Sequence, residues 1–253
     1  MSAFIQLPNL PLQCKAVLYG EKYAEKLKKR LELLQIESII VPDNPFVDKR
    51  LTGHADLSVL HAGGARILLA PYLKGSAVSS YLQSLGAALT FPQIRQCEIY
   101  PEDAQLNLCM IGKCVLYNIN SVPDCIVEIL TNCGDLCFQS CRQGYSRCAV
   151  CVVDEQSLIT ADRGIAAAAE ALGMHVLRIA PGAVVLDGFP YGFIGGASFK
   201  ISEKNLAFTG RLDGHPDCER ILSFLREREI EPLFLTQEPI FDIGSAIPIL
   251  EMG

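Results

Sequence analysis

One pattern constrains this chain more than any other. A short apolar strand, a second strand, an amphipathic helix and a third strand follow one another five times. The middle strands read KAVLYG, ARILLAP, GKCVLYN, SLITAD and NLAFTGR, and the closing strands ESIIVP, AALTFP, LCFQSC, HVLRIAP and PLFLTQ. Between them the apolar spacing predicts helices over residues 21–34, 76–85, 123–130, 162–172 and 216–228. In the first helix Tyr23, Leu27, Leu31 and Leu34 share one face while lysines take the other. Ser121 is the expected cap of the third helix, with Pro123 in its first turn, and Gly173 the expected stop of the fourth. Leading strands are expected from His54, Leu106, Cys148, Phe193 and Asp242.

The repeat length, about 40–53 residues, falls in the range of arrays and propellers. The fifth unit is split, with its leading strand around Asp242 to Leu250 and its remainder from Lys15 to Val41. A ring whose first and last pieces complete one blade hides the edges that an open array exposes. The alternative is a generic α/β sheet whose units look alike because all such units do. The expected fold is therefore α/β, a five-bladed pseudo-symmetric propeller forming one domain over residues 1–253. Its repeats span about 42–90, 91–140, 141–181, 182–236, and 237–253 completed by 1–41.

Composition narrows the function classes. Half of the 253 residues are apolar and 20% are charged, enough apolar surface to offset chain entropy, so disorder is excluded. A formal charge of −6 argues against nucleic acid, which needs a basic footprint. No apolar run reaches the length of a membrane span, and the start MSAFIQLPNLPLQCK lacks the basic-then-apolar layout of a signal peptide. The expectation is a cytoplasmic protein without membrane or nucleic-acid partners, its eleven cysteines carried as thiols.

Short motifs stand at the starts of the leading strands. They are Gly53-His54-Ala55-Asp56, Gly144-Tyr145-Ser146-Arg147-Cys148 and Phe241-Asp242-Ile243-Gly244-Ser245. Together with the five units they resemble the pentein, or guanidino-group-modifying, fold of deiminases, dimethylarginine hydrolases and amidinotransferases, which also contains a non-enzymatic ribosome anti-association factor. The resemblance implies His54 as general acid/base, Asp56 as its carboxylate neighbour, Cys148 as nucleophile and Asp242 as the carboxylate presented to substrate. Cys148 follows His54 by two units, as in the enzymes. Asp242 stands on the last strand instead of the first, so the order reads as a circular permutation. One departure concerns the substrate. The enzymes usually hold a second guanidinium-binding acid one blade earlier, but the stretch Gly192 to Lys200 around Ile194 contains none.

The chemistry suits those residue types. A thiolate attacks an amidine, guanidine or amide carbon and leaves again from a tetrahedral adduct. His54 would protonate the leaving amine and then activate water. Asp56, on the same strand face, would orient the imidazole, and Asp242 would grip a donor of the substrate. Arg147, beside Cys148, is expected on the opposite face of its strand. Arg50, Asn107 and Lys200 are the expected substrate contacts, a cation there suiting a carboxylate-bearing substrate. The expected activity is that of a cysteine-dependent hydrolase or transferase on a C–N bond of a small nitrogenous metabolite, without metal or cofactor. The rival is a non-catalytic ring binding a protein or small ligand.

Each motif also has a bland reading. His54 and Asp56 could be a satisfied polar pair, Cys148 a small buried apolar residue, and Asp242 the start of a turn. Cys125, Cys133, Cys137, Cys141, Cys148 and Cys151 crowd the middle of the chain, but their spacing matches no standard zinc or iron–sulfur pattern. Gly192, Gly195 and Gly196 lead into a strand rather than a helix, which fits close packing better than a phosphate loop. His61 reads as a turn residue, and His175 and His215 as helix-flanking ones.

Overall fold

The computed structural model describes residues 2–253. They form five small sheets. In each, a leading strand pairs antiparallel with a middle strand, and a third strand returns beside the middle one in parallel. Parallel return needs a crossover, and the helix supplies it. The helices are Ala24–Leu33, Ala77–Ser84, Asp124–Thr131, Arg163–Ala171 and Cys218–Arg226, inside the expected spans to within a residue. Ser76 Oγ accepts from Ser79 N–H and Asp162 Oδ1 from Ile165 N–H, capping the second and fourth. Ser121 does not cap the third helix. Its hydroxyl donates to Asn118 O, and Pro123 takes the cap position. Gly173, at φ +78°, closes the fourth in the left-handed conformation that glycine adopts without cost.

The middle strands are apolar on both faces because each face belongs to a different core. Ala16 and Leu18 pack with Ile67 and Leu69, while Val17 and Tyr19 pack with Phe199 and Ala207. Leu68 joins Met110 and Val115, and Leu116 joins Leu158 and Ile165. Ile159 joins Phe208 and Ile221. Alternate side chains of a strand point to opposite faces, so every middle strand links two cores. The sequence of shared cores runs through the five sheets and returns to the first.

The fifth sheet contains both ends of the described chain. Ile247–Met252 lies between Cys14–Gly20 and a short strand at Ser2–Phe4 that the periodicity does not reveal. The eleven cysteines are free thiols. Among the described residues, no helix is long and apolar enough to cross a membrane.

The leading strands begin later than their apolar runs suggest. They are Val59–His61, Cys109–Ile111, Cys151–Asp154, Ser198–Lys200 and Ile247–Met252. His54, Asp56, Asn107, Cys148 and Asp242 consequently lie in turns ahead of these strands, not on them. Backbones approach too closely there for regular pairing. A Cβ on Gly20 would stand 1.8 Å from Gly53 O, and one on Gly195 2.2 Å from Val150 O. His61, expected in a turn, is the buried end of a strand, its Nε2 2.8 Å from Gly64 O.

The Gly20–Gly53 approach yields a paired expectation. Gly20→Ala should cost about 3 kcal/mol or more, because the obstacle is backbone and cannot rotate aside. Gly134→Ala, with nothing within 4 Å of its added Cβ, should leave the urea midpoint within experimental scatter. Equal midpoints for the two variants would contradict this account.

Candidate active site

The turns before three leading strands meet at one point. Cys148 lies in a four-residue helix, Ser146–Ala149, where a strand was expected. His54 precedes a 3-10 turn, Ala55–Leu57, that carries Asp56. Asp242 stands two residues before Gly244, whose φ of +65° lets the chain fold over His54. A Cβ there would lie 2.2 Å from His54 Cβ, so only glycine fits. The four candidate side chains, Cys148, His54, Asp56 and Asp242, are buried, at 1–3% exposure.

Their hydrogen bonds differ from the expected ones. Cys148 Sγ donates to Asp56 Oδ2 at 2.8 Å, and Ser245 Oγ donates to the same oxygen at 2.8 Å. Asp56 was expected to orient His54, but it grips the sulfur, and His54 Nε2 has no partner. The correction follows from local structure. A 3-10 turn does not place residues two apart on one face as a strand does. Asp242 accepts from Phe193 N–H and Gly244 N–H, each at 2.8 Å. Asn107 is a support beneath the sulfur. Its Oδ1 accepts from Arg147 N–H at 2.8 Å, and its Nδ2 lies 3.4 Å from Cys148 Sγ. Arg147 turns inward to Val150 O and Ala246 O.

Burial sets the charge states. Dehydration penalises ionised forms. It raises Asp242 to about 7, against the pull of its two backbone N–H groups, and Asp56 to about 6, against its bonds from Cys148 and Ser245. It lowers His54 to about 3, helped by the nearby Lys22 charge, so the imidazole is neutral at pH 7. Burial, then the charges of Asp56 and Asp242, hold the Cys148 thiol well above its ordinary value. A ring nitrogen of His54, a carboxylate oxygen of Asp56 and Cys148 Sγ lie within 4.8 Å of one another. Such a set could ligate a soft divalent ion only after the sulfur loses its proton. Among the described residues, the other cysteines form no such group. Cys133 bonds Ile129 O and Cys141 meets Ser146 Oγ.

His54, Cys148 and Asp242 face a cavity of about 670 Å³. Arg50 lines it too, although its guanidinium is held by Asp48. Lys200 does not reach it. The ammonium is buried elsewhere and donates to Glu203 O at 2.5 Å, so its expected substrate contact is overturned. The acid missing near Ile194 has a structural counterpart. A Cβ on Gly196 would stand 1.9 Å from Asp242 Oδ1, and one on Gly192 2.5 Å from Asp242 Cβ. Side chains at these glycines would evict Asp242. Residues that the motifs did not single out complete the cavity, among them Tyr100, Asp103 and Tyr145. The Tyr145 hydroxyl donates to Asp103. Tyr145 and Ser245 fall inside the quoted motifs, but nothing in the local pattern marks Tyr100 or Asp103.

The sequence model of a family described as "Family of unknown function (DUF6873)" matches residues 18–247. No curated protein matches the sequence. Similar solved structures include an inosamine-phosphate amidinotransferase from Streptomyces griseus, 9% identical, covering 98% of this chain and 97% of that one at a TM-score of 0.59. SxtG, an amidinotransferase of the saxitoxin biosynthetic pathway from Microseira wollei, is 9% identical over 98% of both chains, with a TM-score of 0.57. An agmatine deiminase from C. jejuni is 9% identical over 93% and 90%, at 0.55. At such identity the likeness establishes the fold, which is the pentein fold.

The state of Asp56 has a measurable consequence for stability. Its folded value of about 6 lies above the ordinary 3.8. The native state therefore holds this proton more tightly, and stability falls as pH rises through 6. That difference corresponds to about 3 kcal/mol. Asp56→Asn keeps an acceptor for Ser245 and removes the buried charge. Chemical denaturation should find the variant more stable than the parent at pH 8, with the advantage shrinking toward zero by pH 4. A constant difference across that range would refute the assignment.

Proposed function

The chain belongs to the DUF6873 family, and we propose that it is a cysteine-dependent hydrolase or transferase cleaving a C–N bond of a small guanidine or amidine. The observation that carries this is the meeting of Cys148, His54 and Asp242 on the floor of one cavity, with Asp56 against the sulfur. We further propose a single-domain five-bladed propeller, circularly permuted, with the repeats given above. The cyclic sharing of cores and the joining of both chain ends in one sheet support that arrangement. A reducing cytoplasm would keep the thiol free.

The resting thiol is protonated, so the substrate itself must help to activate it. A planar cation seated against Asp242 favours the thiolate by its charge. As the C–S bond forms, the sulfur's proton passes to Asp56, 2.8 Å away. His54 relays it to the nitrogen that departs when the C–N bond breaks, releasing ammonia or an amine. Water then attacks the thiouronium carbon and gives a proton to His54, and the C–S bond breaks to return the thiol. The sum is substrate plus water to a urea or amide and a free amine. In a transferase an acceptor amine replaces the water.

One observation favours the binding reading. No cation touches Cys148, and the one hydrogen bond that favours its thiolate, from Asn107, is outweighed by burial and by the charges of Asp56 and Asp242. Release of ammonia or amine across guanidines, amidines and amides distinguishes the two. Turnover should be lost by at least about a thousandfold in Cys148→Ser. For a permanently charged guanidine, kcat/KM should rise with pH to a plateau above about 7, because Asp242 must ionise to hold a cation. No product, with equal binding by the parent and Cys148→Ser, would establish the binding ring instead.

A further inference from the structure

The walls of the cavity select among guanidines. Its floor and sides carry Asp48, Glu98, Asp103 and Asp242. Among the described residues that line it, Arg50 is the only arginine or lysine, and its charge is already paired, with three of its five N–H donors engaged. Nε and Nη2 grip both oxygens of Asp48, at 2.9 and 2.5 Å, and Nη1 donates to Gly188 O at 2.9 Å. Its flat face lies 4.1 Å from the centroid of Phe189. A substrate carboxylate entering this cavity would meet acids and no free cation. That reverses the sequence expectation that Arg50 and Lys200 suit a carboxylate-bearing substrate.

The remaining wall is aromatic. Tyr100 and Tyr145 pack at 5.1 Å between centroids, Tyr145 and Phe193 at 6.4 Å, and Phe193 and Tyr191 at 6.4 Å, edge to face. The four rings form a continuous arc whose middle members, Tyr145 and Phe193, are half-buried and whose two ends are exposed. It ends in apolar surface left in water, with Ile99 at 73% exposure, Tyr100 at 47% and Tyr191 at 42%. Isolated exposed apolar residues are ordinary, but a cluster at a cavity mouth marks a binding surface. Rings so arranged offer edges and faces to another ring.

We infer that the cavity takes a carboxylate-free guanidine or amidine whose cationic head sits over Cys148 and Asp242 and whose aryl-bearing tail lies along the Tyr100–Tyr145–Phe193–Tyr191 arc. The inference rests on the head-group reading above and adds the tail. Arg50, already paired with Asp48, offers a substrate carboxylate no unpaired charge. The volume of about 670 Å³ holds both parts, within the usual range for a pocket that encloses an organic ligand.

The test compares phenethylguanidine, agmatine and arginine in two measurements. These are kcat/KM for the parent protein and calorimetric binding to Cys148→Ser. Phenethylguanidine should exceed arginine by at least 100-fold in kcat/KM and by at least 50-fold in affinity. Tyr191→Ala should lose tenfold or more with phenethylguanidine but threefold or less with agmatine. Arginine matching phenethylguanidine would overturn the tail inference and leave the C–N chemistry standing. So would a clear preference for agmatine, whose second charge has no ring. No turnover, with the binding preference intact, would remove the catalytic reading and uphold the tail. Failure of Cys148→Ser to bind any of the three would overturn both.

Discussion

Everything at the centre of this protein depends on keeping two carboxylates dry beside a thiol. Water would restore the ordinary acidity of Asp56 and Asp242, loosen the S–H to carboxylate bond and dissolve the geometry that sets His54 neutral. Dehydration is possible because each acid keeps partners that need no solvent. Asp242 has two backbone N–H groups, and Asp56 has the Ser245 hydroxyl and Cys148. Those partners in turn exist only because glycines let the turns crowd together. The site is thus a property of backbone packing as much as of its four side chains. Its orphaned atoms, His54 Nε2 and Asp56 Oδ1, are the groups that a reaction would use.

The same packing explains what was legible in the sequence. Five middle strands announce themselves because alternate residues feed two different cores, leaving near-continuous apolar runs such as ILLA and LITA. Helices are visible through their apolar spacing and, for the fourth, through Gly173, whereas the caps Ser76 and Asp162 emerge only in the structure. The leading strands were read too long. Apolar residues such as Leu106, Ile194 and Ile243 continue the strand pattern into turns, and burial of a turn looks the same as burial of a strand. His54, Cys148 and Asp242 could be found because the short motifs that carry them, ahead of three leading strands, resemble those of the pentein enzymes. Tyr100 and Asp103 could not, since they lie in the irregular connection between Ala88–Thr90 and Cys109–Ile111, where no motif marks them. Lys200 was misjudged for a related reason. It lies on a true strand, past the turn where the functional positions cluster.

The glycines of the fourth unit bring both themes together. Gly192 and Gly196 occupy the stretch where a second acid was expected, and they make room for Asp242. Negative charge has not simply been deleted from the cavity, because Asp103 and Glu98 stand on its other side. The likeness to amidinotransferases and a deiminase at 9% identity extends to the fold.

The strand at Ile247–Met252 carries a consequence for how the molecule comes into being. It pairs with Cys14–Gly20 and with Ser2–Phe4, partners separated from it by almost the whole chain. Closing so long a loop is entropically costly and slow compared with local pairing. On the ribosome, the other four sheets can assemble as they emerge, while this one must wait. Asp242, just ahead of that strand, arrives with it. In a nascent chain Cys148 therefore emerges, and its own sheet can form, well before Asp242 is present beside it.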